Sequence, residues 1–201
     1  MSDDVNDNFI NNCLVDGRKI VAIVSVDKNW GIGNAGKLLA HLPGDMKFFK
    51  EKTFGNIVLM GRKTFESLPE AKPLPGRLNV VVTRNEEYAE ALSSVEGILT
   101  AKSVENAIEM LKADEENMLD KEGTSEEDMR DLFVIGGGEI YMQCLPFVDS
   151  CLVTKFDAVF EADTFFPDID NDARFKLTKE SELVEENGIE YVFTEYSKVV
   201  G

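Results

Sequence analysis

Apolar residues run almost unbroken from Lys19 to Val26 (KIVAIVSV), and a β-branched run of that length predicts a strand buried on both faces. Three further runs repeat the pattern: Asn56–Met60 (NIVLM), Leu78–Thr83 (LNVVVT) and Asp131–Ile135 (DLFVI). Between them the period changes to that of a helix. Met46 and Phe49 share a face of a predicted helix over Met46–Lys52, and Val104, Ile108 and Leu111 share one over Val104–Lys112. GRKTFESL and GGGEIYMQCL each open a helix directly after a strand, whereas Trp30–Gly36 (WGIGNAG) reads as a glycine-rich loop. Ser150–Phe156 and Tyr191–Val199, the latter with Tyr191, Phe193 and Tyr196, read as strands joined without a clear helix. The alternation predicts an α/β fold with a mostly parallel central sheet, and the tail predicts an antiparallel edge. Ligands of such sheets gather at the carboxyl ends of the strands.

The 201 residues suit one domain. A net charge of −17 argues against a nucleic-acid partner or an anionic membrane surface. The charge is uneven, however. Residues 17–84 hold 12 basic and 5 acidic side chains, and residues 85–201 hold 9 basic and 29 acidic. A basic segment within so acidic a chain suits a small anionic ligand, since distant repulsion is screened beyond about 8 Å. The charge-dense stretch Asp114–Asp131 reads as a surface excursion or a helix extension. One histidine and three cysteines, Cys13, Cys144 and Cys151, cannot supply a Cys/His zinc site or an even disulfide framework, so no metal is expected. MSDDVNDNFINN lacks the basic and apolar regions of a signal peptide, and no apolar run reaches membrane length; the expectation is a cytoplasmic protein.

Three strand ends carry groups suited to phosphate. Gly61, Arg62, Lys63 and Thr64 follow a strand at a helix start, where backbone N–H groups and two cations converge. Thr83 and Arg84 end the next strand, and Gly136, Gly137 and Gly138 follow the fourth. The triplet does not meet the G-x-G-x-x-G fingerprint, because Tyr141 occupies the third glycine position. Together the three ends could hold the separated phosphates of one dinucleotide. Asp45, at a helix start after His41-Leu42-Pro43-Gly44, has two readings: an N-cap, or a buried carboxylate that pairs with an amidine-like ligand edge. His41 has no Ser, Cys or metal partner in view and is given no catalytic role.

In this order the motifs KIVAIVSVDKNWGIG, GKLLAHLPGDMKFFK, IVLMGRKTFESLP, PLPGR, VVVTRN, FVIGGGEIY and DTFFP resemble the dihydrofolate reductase family. The resemblance covers residues 19–201 as a single domain, with an acidic extension over 1–18 and an acidic insertion near 113–131. It implies a three-layer fold and NADPH-dependent reduction of 7,8-dihydrofolate to tetrahydrofolate. It also implies inhibition by antifolates such as methotrexate or trimethoprim, and a monomer. Asp45 matches the family's active-site carboxylate and Thr154 the threonine that supports it. Met46, Phe49, Leu68 and Leu74 match the walls around the substrate rings, Ile23 and Ile135 the carbonyls facing the pterin, and Arg77 the arginine for the glutamate carboxylate. On the cofactor side fall Ser25, by its backbone, and Ile32. Gly61, Arg62, Lys63, Thr64, Thr83 and Arg84 match phosphate positions, with Lys102 and Ser103 near the adenine. Gly136, Gly137, Gly138, Glu139, Ile140 and Tyr141 lie beside the pyrophosphate, where the family places a cis Gly-Gly bond.

One departure stands out. The family's L-P-W before the LP-x-D segment is replaced by Leu38, Leu39 and Ala40, which implies an altered loop with Trp30 packed in its neighbourhood. The rivals are a pyrimidine reductase of riboflavin synthesis, a nucleotide-binding relative without catalysis, and an acidic interaction module.

Overall fold

The computed structural model describes residues 18–119 and 130–199. Its first half runs β1 (Ile20–Val26), β2 (Gly31–Asn34), β3 (Lys37–Leu38), α1 (Pro43–Thr53), β4 (Ile57–Gly61), α2 (Arg62–Ser67), β5 (Leu78–Val82), α3 (Glu86–Leu92) and β6 (Ile98–Ala101). The second runs α4 (Val104–Leu119), β7 (Leu132–Gly136), α5 (Gly138–Cys144), β8 (Ser150–Phe156), β9 (Thr164–Phe165), β10 (Phe175–Glu180), β11 (Val184–Glu186) and β12 (Ile189–Lys198). The main sheet has the order β10-β12-β8-β1-β7-β4-β5-β6, with β11 also on β12. From β8 to β6 every pairing is parallel, while β12 is antiparallel to β8, and β10 and β11 to β12. The predicted parallel centre and antiparallel edge are therefore present.

Why β1 reads as a continuous apolar run is now plain, because its two faces enter different cores. Ile20, Ala22, Val24 and Val26 pack with Val104, Ile108 and Leu111 of α4 and with Ile140 and Cys144 of α5. Val21 and Ile23 point the other way, to Val58, Met60, Phe65, Val81 and Phe133, flanked by Phe48 and Phe49 of α1. This period of two sandwiches the sheet between helices as three layers. Buried Cys144 and Cys151 belong to the first core, and burial pushes both thiols up to about 12.

Two expectations are corrected, and one alternative is decided. Part of the glycine-rich stretch Trp30–Gly36 is a strand, β2, paired with β3 and β9 in a small antiparallel sheet. Pairing partners, rather than local propensity, hold it extended. The first helix begins at Pro43 rather than Met46, since proline suits the first helical position. The α4 backbone continues to Leu119, so the first part of the acidic insertion does extend a helix; residues 120–129 of it, like residues 1–17 of the extension, lie outside the described residues.

Candidate active site

Asp45 sits in the first turn of α1 and does not cap it; the capping position is Leu42, which makes no side-chain bond to the turn. The carboxylate instead turns toward the sheet, where Ser25 Oγ donates to its Oδ2 at 2.7 Å. Ser25 stands in register with Thr154 on the neighbouring strand β8, so two hydroxyls face α1 from adjacent strand ends. Burial raises the Asp45 pKa above its ordinary value, the Ser25 and Thr154 hydroxyls pull it back, and Glu186 of β11 pushes it up again. Glu186 Oε2 accepts from Gly44 N at 2.9 Å and from the Tyr191 hydroxyl at 3.3 Å. A methyl group at Gly44 would stand 2.3 Å from that hydroxyl, so only glycine lets α1 approach this closely.

An apolar cluster lies on the face of the sheet that α1 covers. Ile23 is a core residue, and Phe49, Leu68, Leu74 and Ile135 line the same cluster half-buried. Met46, one residue beyond Asp45, is 45% exposed. The Ile23 carbonyl accepts from the buried Tyr141 hydroxyl at 2.7 Å. Beside Phe49, Arg77 is held by Thr53 Oγ1 at 2.8 Å, Pro75 O at 2.8 Å and Lys50 O at 3.2 Å, with its guanidinium 5.9 Å from the Phe49 ring centroid. Partial burial lowers its pKa without threatening its charge. Three of five donors are spent, which leaves a fixed cation with N–H groups to offer a carboxylate.

Asn79 is the residue behind this arrangement. Fully buried on β5, it accepts from Leu74 N at 2.9 Å and donates to Leu74 O, Arg77 O and Gly97 O at 3.1–3.3 Å. It thereby fixes the loop that carries both Leu74 and Arg77.

The predicted phosphate ends fall on β7, β4 and β5, and Lys102 and Ser103 follow β6, the next strand in the sheet. At the usual strand spacing these four ends span about 14 Å. The Gly136–Gly137 peptide is cis, and Gly136 has φ +122°, open to glycine alone. Methyl groups on Gly136 and Gly137 would lie 3.6 and 3.3 Å from Thr64 Oγ1, so bare backbone and a hydroxyl face each other there. Because α2 has only six residues, its dipole adds little and the field rests on side chains. Arg62 pairs with Glu66 at 3.1 Å and lies 5.6 Å from the Tyr88 ring centroid, Lys102 pairs with Glu86 at 3.1 Å, and Lys63 and Arg84 are exposed. Thr83 Oγ1 accepts from Asn85 N at 3.2 Å, and Ser103 Oγ from Asn106 N at 3.1 Å, in the first turn of α4. Glu139 is exposed, Ile32 is half-buried against the core, and Ile140 and Tyr141 are core residues.

Sequence reasoning missed Asn79, Glu186, Tyr191 and the Ser25 hydroxyl. It also missed Asp27, buried after β1, which accepts from Asn29 N, Gly31 N and Phe160 N at 2.8–2.9 Å and pins the loop beside β2. An acid in an apolar run was the available signal for Asp27. Trp30 does not fill the place of the absent loop tryptophan: it stacks on Phe166 at 6.3 Å under Lys155, whereas Ala40 packs with Leu42, Phe156 and Tyr191.

A family model described as dihydrofolate reductase matches residues 19–198. The bifunctional dihydrofolate reductase-thymidylate synthase of Daucus carota is 38% identical over 192 residues, covering 90% of this chain and 34% of that one. The dihydrofolate reductase of Neisseria gonorrhoeae is 35% identical over 178 residues, covering 89% of this chain and 97% of that one. Among solved structures, dihydrofolate reductase from Enterococcus faecalis complexed with NADP(H) and RAB-propyl superposes with a TM-score of 0.72 at 30% identity, covering 90% and 97% of the two chains. The chain spans about a third of the length of the bifunctional relatives and nearly all of the single-function ones.

Proposed function

The chain belongs to the dihydrofolate reductase family, and from that membership and the setting of Asp45 we propose that it reduces 7,8-dihydrofolate to 5,6,7,8-tetrahydrofolate with NADPH. The observation that carries the reading is one half-buried carboxylate, braced by Ser25 and Thr154, on the helix that also carries Phe49, against whose ring Arg77 is held. A flat heterocycle with an amino-pyrimidine edge and a distal carboxylate matches that polarity. Asp45 binds the edge and promotes arrival of a proton at nitrogen 5. The Ile23 and Ile135 carbonyls accept from the same edge, Met46, Phe49, Leu68 and Leu74 wall the rings, and Arg77 takes the glutamate carboxylate. When bound, NADPH supplies the hydride that carbon 6 receives.

The residues present fit that cofactor. Bare glycine backbone beside the Thr64 hydroxyl suits a pyrophosphate, and Arg62, Lys63, Thr64, Thr83, Arg84, Lys102 and Ser103 line the strand ends where its remaining phosphate and adenine would lie. The lack of a side chain at Gly61 lets Ile140 pack closely against the β4 end, and the backbone of Ser25 and the side chain of Ile32 would border the nicotinamide. On the same reading residues 19–201 form one catalytic domain of a cytoplasmic monomer, sensitive to methotrexate and trimethoprim and supplying one-carbon metabolism. Among the described residues no helix is long and apolar enough to cross a membrane.

The test mixes the purified chain with NADPH and 7,8-dihydrofolate and follows NADPH loss with and without methotrexate. Turnover that methotrexate blocks is the expected result. NADPH binding without turnover would leave a nucleotide-binding relative instead.

A further inference from the structure

The strand position of Ser25 is polar within an otherwise apolar run, and the hydroxyl is turned to one acceptor. Ser25 belongs to the face of β1 that carries Val21 and Ile23, the face covered by α1, and its Oγ reaches Asp45 Oδ2 at 2.7 Å. We propose that Ser25 is a positioning residue for the reaction: its hydroxyl fixes one oxygen of the Asp45 carboxylate and leaves the remaining lone pairs aimed at the substrate. The proposal rests on Asp45 being the group that binds substrate.

The surroundings of Asp45 make such a donor necessary. From β11, Glu186 adds a second negative charge; from β12, Tyr191 spends its hydroxyl on Glu186; from β8, Thr154 supplies the other hydroxyl. On α1 itself Lys47, two residues beyond Asp45, is exposed and lies 3.8 Å from Glu51. Two influences, burial and Glu186, thus favour the protonated acid, and two hydroxyls oppose them. Ser25 is one of those two. Without it the carboxyl keeps its proton to higher pH and is held by Thr154 alone, so it pairs less well with the N–H groups of a pterin edge. A carboxylate that accepts several hydrogen bonds loses roughly one pH unit per bond from its titration midpoint, and this sets the scale of the effect.

The experiment titrates Asp45 directly in the ligand-free protein by carboxyl carbon-13 NMR, with its resonance identified by its loss in Asp45→Asn. Wild type, Ser25→Ala, Ser25→Thr and Glu186→Gln are compared. Ser25→Ala is expected to move the midpoint up by roughly one unit, Ser25→Thr to return it toward wild type, and Glu186→Gln to move it down. The pH profile of hydride transfer should follow in the same order, and KM for dihydrofolate should rise about tenfold in Ser25→Ala alone. Coincident titrations of Ser25→Ala and wild type overturn the proposal, as does an upward shift that Ser25→Thr fails to reverse. The predicted titration shifts in a protein that never reduces dihydrofolate would uphold the Ser25–Asp45 coupling and overturn the function proposed above.

Discussion

Gly44→Ala is the substitution in which local and tertiary rules oppose each other most clearly. In a helix alanine is favoured over glycine by up to about 1 kcal/mol, so propensity alone predicts a gain. The new methyl, however, would lie 2.3 Å from the Tyr191 hydroxyl and 3.2 Å from Glu186 Oε2. The first separation is more than 1 Å short of van der Waals contact, and Tyr191 is 1% exposed and has nowhere to retreat. The start of α1 must therefore swing out by about 1 Å, carrying Asp45 with it. Overpacking of this kind costs about 1–3 kcal/mol, and a 1 Å misplacement of a catalytic group costs about 10²-fold in rate. The expected outcome is kcat for dihydrofolate reduction down by about two orders of magnitude, with a fall in Tm. In a Tyr191→Phe background the nearest ring atom, Cζ, would lie at 3.6 Å, an ordinary contact, and only the 3.2 Å approach to Glu186 Oε2 would remain, so the double variant should recover part of the lost kcat. A single variant with wild-type kcat, or a double variant no better than the single, would refute this reasoning.

Other expectations concern the rest of the site. Arg77→Lys keeps the charge but loses the fixed fork, and should raise KM for dihydrofolate about 10- to 100-fold while kcat at saturation stays within about twofold; a matching fall in kcat would place Arg77 in the chemical step. Asn79→Ala removes the side-chain partner of Leu74 N, Leu74 O and Arg77 O, while Gly97 O keeps the Asn79 backbone N–H, and should cost about 2–4 kcal/mol, read as a Tm lower by about 4–16 °C. Burial holds the folded Asp45 carboxyl above its ordinary value of 3.8, so the folded state binds that proton more tightly than the unfolded chain does. Stability is then lost as pH rises from the unfolded value through the folded one, and stays level above it. Asp45→Asn removes that loss, so its Tm relative to wild type should improve between pH 4 and pH 8; a pH-independent difference would deny burial as the cause.

The parallel centre was legible because strands buried on both faces write themselves as nearly unbroken apolar runs, and β1, β4, β5 and β7 all do so, with Ser25 and Asn79 as the polar breaks in β1 and β5. β2 was not, because glycines carry no such signal and its extension depends on β9, more than a hundred residues away. Asp45, Arg77 and the glycine triplet were legible through their order in a family pattern. What holds them was not. Asn79 looks like any polar residue at a strand start, and Glu186 looks like one more acid in an acidic tail, until the fold brings them to Leu74 and Gly44. Nor does composition say which way the Ser25 hydroxyl points. The phosphate ends were found one by one along the chain, and the parallel pairing of β7, β4, β5 and β6 is what makes them neighbours.

The most direct test of the central claim is a single-turnover measurement of hydride transfer to 7,8-dihydrofolate, comparing wild type with Asp45→Asn at matched occupancy of NADPH. A carboxylate that binds the pterin edge and promotes protonation predicts a fall of about 10²- to 10⁴-fold in the transfer rate, with NADPH affinity unchanged. Transfer at the wild-type rate in Asp45→Asn would contradict it.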